Sequence, residues 1–186
     1  MFTRTLMLLM CLACFPFTMG NRVATAAEIV PASISDKWQD QTVVLVFVGI
    51  ECPVANGYVP DVRELQKTFN KHDISWIAVH SEPGVTEASA TKHATEFGIE
   101  FPLLLDSRQQ LAAKVGAKVL GQVAVLQQGQ VVYRGRIDDR FDTRSGKRRD
   151  LPTTRELRDV LTALTKGKEY PFTETQAYGC PIPFEK

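Results

Sequence analysis

The sequence predicts an α/β fold with a central mixed β-sheet and helices on both faces. Two observations support this expectation. Runs of β-branched apolar residues alternate with segments of helical periodicity, and two late runs flank a tight turn. Alternation of strand and helix requires parallel strands joined by right-handed crossovers, and the turn adds an antiparallel edge.

The first half of the chain supplies two core strands and two helices. Residues 42–49 form a continuous apolar run that is typical of a strand buried on both faces, and residues 73–79 read as a second core strand. A second helix is expected over 86–97, where Gly98 provides a stop. The first helix lies between the two strands, and its apolar residues recur at helical spacing: Tyr58, Val62, Leu65 and Phe69.

The second half supplies a short strand, a brief helix and a hairpin. The strand is expected over 101–105, and Ser107 is expected to cap a helix that ends at Val115. Residues 122–127 and 130–137 flank Gln128-Gly129 and read as the hairpin.

A final helix and a tail complete the chain. The helix begins near 152–154, and the tail over 169–186 shows no periodicity, so it is expected to lie along the surface. The apolar residues of this helix form one stripe: Leu157, Val160, Leu161 and Leu164.

The composition indicates one globular domain. Of the 186 residues, 44% are hydrophobic and 23% are charged, which is close to the globular average. The 22 basic and 21 acidic residues give a formal net charge of +1. Nucleic-acid binders carry a clear basic excess, so this balance argues against a nucleic-acid partner. Four cysteines are too few for a disulfide scaffold of this size.

The N-terminus is expected to be an export signal. An arginine precedes the apolar run at 6–15, and Ala24-Thr25-Ala26 fits a cleavage site. The run is shorter than the roughly 20 residues that span a bilayer, and no other segment could cross one. A retained anchor or a lipoprotein acylated at Cys14 are the alternatives. The expected organisation is a signal peptide over 1–27, a domain over 28–168 and a tail over 169–186 that carries Cys180.

Cleavage of the leader leaves two cysteines, Cys52 and Cys180. Cys52 follows a core strand and precedes Pro53, which suits the first position of a helix. Free amides and the dipole at a helix N-terminus favour a thiolate, the nucleophilic form. Glu51 opposes this if its carboxylate points inward. The alternative is a buried, inert cysteine.

Residues 47–53, with Pro60 eight residues after the cysteine, resemble the active-site strand and kinked helix of the thioredoxin superfamily. Three later segments resemble its redoxin branch, the group related to AhpC/TSA proteins, and the last of them resembles an exported bacterial type: 101–106, 132–140 and 178–183. The resemblance covers about residues 41–180. It implies a thioredoxin-like fold and a thiol-dependent oxidoreductase, with no cofactor or metal.

The chain departs from both standard active sites of this superfamily. Ala55 stands where thioredoxins have the second cysteine of Cys-x-x-Cys, which makes Cys180 the candidate resolving cysteine. The alternatives for Cys180 are a tail anchor, a permanently bonded structural cysteine and a free thiol. Gly49 and Leu45 stand where peroxiredoxins have the threonine and proline of the peroxide pocket. Gly121 falls at about the position of the cis-proline that helps to dock extended substrates.

The resemblance therefore implies Cys52 and Cys180 as catalytic residues, and Pro53, Gly121 and Arg134 as substrate-binding residues. Arg134 could lower the pKa of Cys52 or hold an anionic substrate. A solvated loop with local ion pairs is the alternative for the basic cluster to which it belongs. That cluster consists of Arg134, Arg136, Arg140, Arg144, Lys147, Arg148 and Arg149.

His80 follows a core strand at its C-terminal end. Together with Cys52 and Cys180 it would form a set able to hold Cu(I), although the spacing differs from that of copper-delivery proteins. His72 and His93 are expected on helix surfaces without a role.

Three functions follow from these observations. The first is an exported, periplasmic or secreted oxidoreductase that reduces a disulfide or a peroxide through Cys52 and is recycled by an external thiol donor. The second is a redox-inert binding module that keeps the fold. The third is a copper carrier. No nucleic acid and, in the mature form, no membrane is expected as a partner.

Overall fold

The computed structural model describes residues 29–30, 38, 40–141, 147–171 and 173–184. The signal peptide expected over 1–27 lies outside these residues, as does Arg144, so the export signal and the domain boundaries stay predictions. No helix among the described residues combines the length and the hydropathy that crossing a bilayer requires.

The described elements alternate strand and helix, as the sequence predicts. In chain order they are β1 (Ile29–Val30), β2 (Thr42–Val48), α1 (Pro53–Thr68), β3 (Ile74–His80), α2 (Glu87–Phe97), β4 (Leu103–Leu105), α3 (Gln110–Val115), β5 (Val123–Gln127), β6 (Gln130–Gly135) and α4 (Glu156–Thr165).

One mixed sheet organises these elements, in the strand order β1-β4-β3-β2-β5-β6. The pairs β1/β4, β4/β3 and β3/β2 are parallel, whereas β2/β5 and β5/β6 are antiparallel. The expected α/β fold with a mixed sheet is thus confirmed. The strand β2 lies between β3 and β5, and its last six residues are all buried, which explains its continuous apolar sequence.

Local sequence signals fix the ends of several elements. The α2 helix begins at a capping box made by Thr86 and Ser89 and ends at Gly98, whose φ of 67° is left-handed. Gln128 and Gly129 have φ values of 50° and 72°. Two positive φ values in a two-residue loop suit the right-handed twist of a hairpin, so the predicted turn is confirmed.

The predicted cap of α3 is wrong. The helix is preceded by Gln109, not Ser107, and no side chain of the N-cap residue caps it. The carboxylate of Asp106 instead accepts hydrogen bonds from the N–H groups of Leu111 at 3.0 Å and Ala112 at 2.9 Å. Asp106 is buried at the end of β4, so its charge needs these donors.

The tail pairs with the backbone of the domain. Glu174 forms a parallel bridge with Arg134, and Pro181 forms an antiparallel bridge with Val119. Ile182 is buried in the core cluster. Apart from Ile182, the described residues of the tail are exposed or partly exposed, as expected, and backbone pairing attaches this surface segment to the domain.

Candidate functional site

Cys52 occupies the junction between β2 and α1. It is the N-cap residue of α1, with an extended backbone and Pro53 directly after it. Its sulfur accepts a hydrogen bond from the N–H of Ala55 at 3.4 Å. The residue is only 1% exposed. The sulfur therefore lies in the core yet has an amide of the first helical turn directed at it.

Gly121 lies against the same first turn of α1. Its N–H donates to the carbonyl of Phe47 at 2.6 Å, and its φ is 88°. A Cβ atom at this position would lie 3.4 Å from Val54 Cγ1 and 3.6 Å from the backbone nitrogen of Ala55. The structure thus brings Gly121 against the helical turn that follows Cys52, whereas Pro53 is exposed. Binding of a substrate by either residue stays a prediction.

The tail brings Cys180 to Cys52. Cys180 lies close enough to Cys52 for that residue to raise the pKa of its thiol, and both cysteines are free thiols. Backbone bonds hold this arrangement: Leu120 N–H donates to the Cys180 carbonyl at 2.8 Å, and Ile182 N–H donates to the Lys118 carbonyl at 2.9 Å. Two sulfurs from opposite ends of the domain therefore meet at one site.

The environment of Cys180 favours its protonated form. Burial raises the pKa of this thiol to about 11, and the hydrogen bond and charge of Cys52 and the charge of Glu82 act in the same direction. A thiol that keeps its proton can donate it in a hydrogen bond to a neighbouring sulfur. The two cysteines of the pair are thus chemically unequal.

Glu82 is a site residue that the sequence interpretation missed. Its Oε2 atom accepts a hydrogen bond from Ile50 N–H at 3.0 Å, two residues before Cys52. Burial would raise the pKa of Glu82, but the nearby His80 ring and the Ile50 N–H lower it overall. Glu51, the carboxylate considered from the sequence, is exposed. A glutamate two residues after a parallel strand is the signal that could have identified Glu82.

A buried polar network lies behind this carboxylate. His93 Nε2 is 2.9 Å from Asn56 Oδ1, and Asn56 Nδ2 donates to the Ile50 carbonyl at 3.1 Å. The rings of His93 and His80 meet edge to face with centroids 5.1 Å apart. His80 Nδ1 lies 3.6 Å from Glu82 Oε2. The network therefore connects α2, α1 and the end of β3.

The expected surface position of His93 is wrong. The residue is 2% exposed and lies on the buried face of α2 with Ala90 and Ala94. Burial and the neighbouring His80 lower the pKa of His93 to about 4, against the opposing effect of Glu82. Its ring is therefore neutral at neutral pH.

The copper site considered from the sequence is not formed. Among the described residues, no three or more His, Cys, Asp or Glu side chains lie close enough together to hold a metal ion. His80 instead neighbours His93 and Glu82, so it is not brought to Cys52 and Cys180 as a third ligand.

Arg134 is not brought to the cysteines by any contact of the described residues. Its guanidinium pairs with Glu174 at 2.7 Å and lies over Gly116. Arg134 and three other arginines of the basic cluster form local ion pairs, as the alternative interpretation of that cluster predicts. Those three pairs are Arg136–Glu156, Arg140–Asp61 and Arg149–Asp139. Substrate binding by Arg134 stays a prediction without a supporting contact.

Comparisons with known proteins agree with this architecture. Residues 20–135 match the sequence model of the AhpC/TSA family. The crystal structure of an uncharacterized conserved protein from Geobacillus kaustophilus is similar, with a TM-score of 0.67, 25% identity and 78% of each chain covered. A hypothetical protein from Sinorhizobium meliloti 1021 has a TM-score of 0.68 at 22% identity, over 81% of this chain and 84% of that chain. No protein of curated description matches.

Proposed function

Because the chain belongs to the AhpC/TSA family of thioredoxin-like redoxins, we propose that it is an exported thiol-dependent oxidoreductase. In this proposal Cys52 is the nucleophile and Cys180 is the resolving cysteine. The single observation that supports it most is the placement of Cys180 near Cys52 at the N-terminus of α1, where backbone bonds attach the tail to Lys118 and Leu120.

The choice of Cys52 as nucleophile follows from the donors around its sulfur. The N–H of Ala55 is directed at it, and the N-terminus of a 16-residue helix adds a favourable dipole. Thiolates attack disulfides and peroxides, whereas neutral thiols react slowly. The raised pKa of Cys180 keeps that residue a thiol until Cys52 has reacted.

Two substrates fit this chemistry. With a disulfide, the Cys52 thiolate attacks one sulfur, forms a mixed disulfide and releases the other sulfur as a thiolate. With a peroxide, Cys52 becomes a sulfenic acid and the remaining oxygen leaves as water or an alcohol. In either case Cys180 then attacks the Cys52 sulfur, loses its proton and expels the thiol or water, leaving a Cys52–Cys180 disulfide. An external dithiol donor returns both cysteines to thiols.

Export is the part of the proposal that rests on the leader. The apolar run at 6–15 and the Ala24-Thr25-Ala26 pattern support cleavage and passage to the periplasm or the outside. Such a compartment permits a cycling disulfide. The N-terminal sequence of protein recovered after cell fractionation tests this part, because export predicts a start near Ala27.

A redox-inert binding module is the second candidate function. The 1% exposure of Cys52 favours it, because a substrate must reach the sulfur before it can react. Under this alternative the protein binds a partner and its thiols never cycle. The absence of a second cysteine within the turn, where Ala55 stands, favours it as well.

Turnover by single cysteine variants tests the proposal. Hydrogen peroxide and a model disulfide are supplied with an excess of a thiol donor, and the mature protein is compared with its Cys52→Ser and Cys180→Ser variants. We expect C52S to abolish turnover, and C180S to stop at a mixed disulfide or sulfenic acid on Cys52. Full activity of C52S would contradict the proposal, and an intact protein that turns over neither substrate would favour the binding module.

A further inference from the structure

Glu82 is the one partly buried carboxylate in contact with the turn before Cys52 among the described residues, and the proposed redox steps do not use it. It lies two residues after β3, at the carboxyl end of the parallel strands. Its side chain is 22% exposed. Partial burial of a charged carboxylate costs free energy. A function of Glu82 at this site would account for that cost.

We propose that Glu82 is a positioning residue of this site: its carboxylate holds the turn that carries Cys52, and its charge makes Cys180 the slower of the two thiols to react. The inference rests on the proposed function, in which Cys52 attacks first and Cys180 second. It adds a physical cause for the different reactivities of the two thiols.

The mechanical part of this role concerns Ile50, whose backbone N–H and carbonyl are both hydrogen-bonded to side chains. Ile50 N–H donates to Glu82 at 3.0 Å, and the Ile50 carbonyl accepts from Asn56 at 3.1 Å. His93 in turn holds the Asn56 side chain. Because Cys52 follows Ile50 after one residue, these two bonds hold the backbone that leads into the helix N-terminus. Glu82 is the only member of this set that carries a full charge at neutral pH.

The electrostatic part depends on the position of Gly49. A Cβ atom on Gly49 would lie 3.2 Å from both Cys52 Cβ and Glu82 Oε1, so the carboxylate and the cysteine face the same small space. A nearby negative charge disfavours a thiolate. The N–H of Ala55 and the helix offset that effect at Cys52. Cys180 lies in residues 173–184 of the tail, which contain no helix that could offset the negative charge.

The groups that face Glu82 allow its carboxylate to stay ionised at neutral pH. They come from four elements: His80 from β3, His93 from α2, Cys52 at the start of α1 and Cys180 from the tail. The pKa of His93 is lowered to about 4, so this ring brings no positive charge at neutral pH. Hydrogen bonding lowers the pKa of Glu82 itself, so the carboxylate is ionised there.

The reactivity of Cys180 in the absence of Cys52 tests this inference. In a Cys52→Ser background, the alkylation rate of Cys180 by iodoacetamide is measured against pH, with and without Glu82→Gln. Glutamine retains a side-chain oxygen for Ile50 N–H but loses the charge. We expect the added E82Q change to speed alkylation of Cys180 about threefold to tenfold at pH values below the midpoint of its pH–rate profile. A nearby negative charge shifts the equilibrium between thiol and thiolate by about that factor. Glu51→Gln is the matched control, since Glu51 adjoins Cys52 but is exposed, and it should leave the rate unchanged.

A second measurement keeps the inference testable if the serine background does not fold. With both cysteines present, E82Q should move part of the first alkylation from Cys52 to Cys180, as read by peptide mass. Equal rates with and without E82Q, or an equal effect of E51Q, would overturn the inference. Neither result depends on turnover, so a failure here is distinguishable from a failure of the proposed oxidoreductase activity.

Discussion

His93 Nε2 lies 2.9 Å from the side-chain oxygen of Asn56, and this contact settles which nitrogen of the ring carries the proton. The amide nitrogen of Asn56 already donates to the Ile50 carbonyl, so its oxygen is the acceptor toward His93. Nε2 therefore carries a proton, and because burial lowers the pKa of His93 to about 4, it is the only ring nitrogen protonated at neutral pH. A neutral histidine in α2 thus supports the turn that precedes the candidate nucleophile.

The neutral state of His93 predicts a loss of stability in mild acid. Its pKa is about 4 in the folded protein and 6.5 as its ordinary value, so the unfolded chain binds the proton more readily. Stability is fully present above pH 6.5 and falls as the pH drops from 6.5 to 4. The whole loss amounts to about 3 kcal/mol by linkage. Urea unfolding at several pH values between 7.5 and 4 measures it.

Histidine variants give the control for this effect. His93→Gln should flatten the pH dependence across that window, whereas His72→Gln should preserve it, since His72 is exposed. Asp139, whose hydrogen bonds with Thr153 and Thr154 outweigh burial and lower its pKa to about 2, acts at lower pH. An H93Q protein with the same pH dependence as the unaltered chain would contradict the assignment.

The approach of the tail to Leu120 predicts an effect of Gly179→Ala. A Cβ atom at this position would overlap the Leu120 carbonyl oxygen, so alanine should push the tail away and separate Cys180 from Cys52. We expect disulfide formation after oxidation to slow by about tenfold or more, because small misplacements of reacting groups are costly. Stopped samples separated without reductant measure the rate.

Gly57→Ala is the matched control for the tail variant. A Cβ atom on Gly57 would lie 3.6 Å from Phe141 Cζ, an ordinary van der Waals distance. The G57A protein should form the disulfide at the rate of the unaltered protein. An unchanged rate in G179A would show that the pairing of the tail with Leu120 does not hold the two sulfurs together.

The ion pair between Arg136 and Glu156 predicts a large effect on stability. Glu156 is 2% exposed, and Arg136 Nε donates to it at 2.8 Å. Arg136→Met leaves the buried carboxylate without its charged partner and, among the described residues, with only the Thr154 hydroxyl as a donor from a side chain, which should lower the free energy of unfolding by about 3 kcal/mol. Replacing both residues, by R136M and E156L, should recover part of the loss.

Arg134→Met is the matched control, because it also removes an arginine at the end of β6. Arg134 forms its ion pair with Glu174 at the surface, where solvent screens the charges. Urea unfolding should show a much smaller loss for R134M than for R136M. Equal losses in the two variants would contradict the importance of burial for the Arg136–Glu156 pair.

The backbone conformation at Gly121 predicts that proline cannot replace glycine at this position without loss of stability. Its φ is 88° and its N–H is bonded to Phe47, whereas proline requires a φ near −65° and has no N–H. We expect G121P to lower the free energy of unfolding by about 3 kcal/mol or more, and G121A by about 1 to 2 kcal/mol from backbone strain. Thermal unfolding measures both. A G121P protein as stable as the unaltered chain would contradict the observed backbone conformation.

Local physics made much of the fold predictable. The β2 strand is buried on both faces, so its composition alone identifies it. The hairpin turn at Gln128-Gly129 and the end of α2 at Gly98 each need a residue that adopts a positive φ. A glycine at each place indicates this in the sequence. The resemblance over about residues 41–180 predicted the thioredoxin-like fold and the AhpC/TSA-related redoxin family, and both are confirmed.

The site was less predictable because its contacts join distant parts of the chain. Glu82 reaches Ile50 across 32 residues, and no local pattern encodes that bond. The burial of His93 depends on what α2 packs against, since polar residues surround it in sequence. Likewise, the buried carboxylate of Asp106 at the end of β4, not the nearer Ser107, bonds the first amides of α3.

Peptide mapping without reductant tests the central claim most directly. The mature protein is digested before and after one equivalent of hydrogen peroxide or of a model disulfide, with free thiols blocked at the start. The account predicts that the peptides containing Cys52 and Cys180 are separate before oxidation and joined by a disulfide after it. Peptides that remain separate, with the Cys52 thiol unmodified after oxidant, would contradict a redox role for this pair.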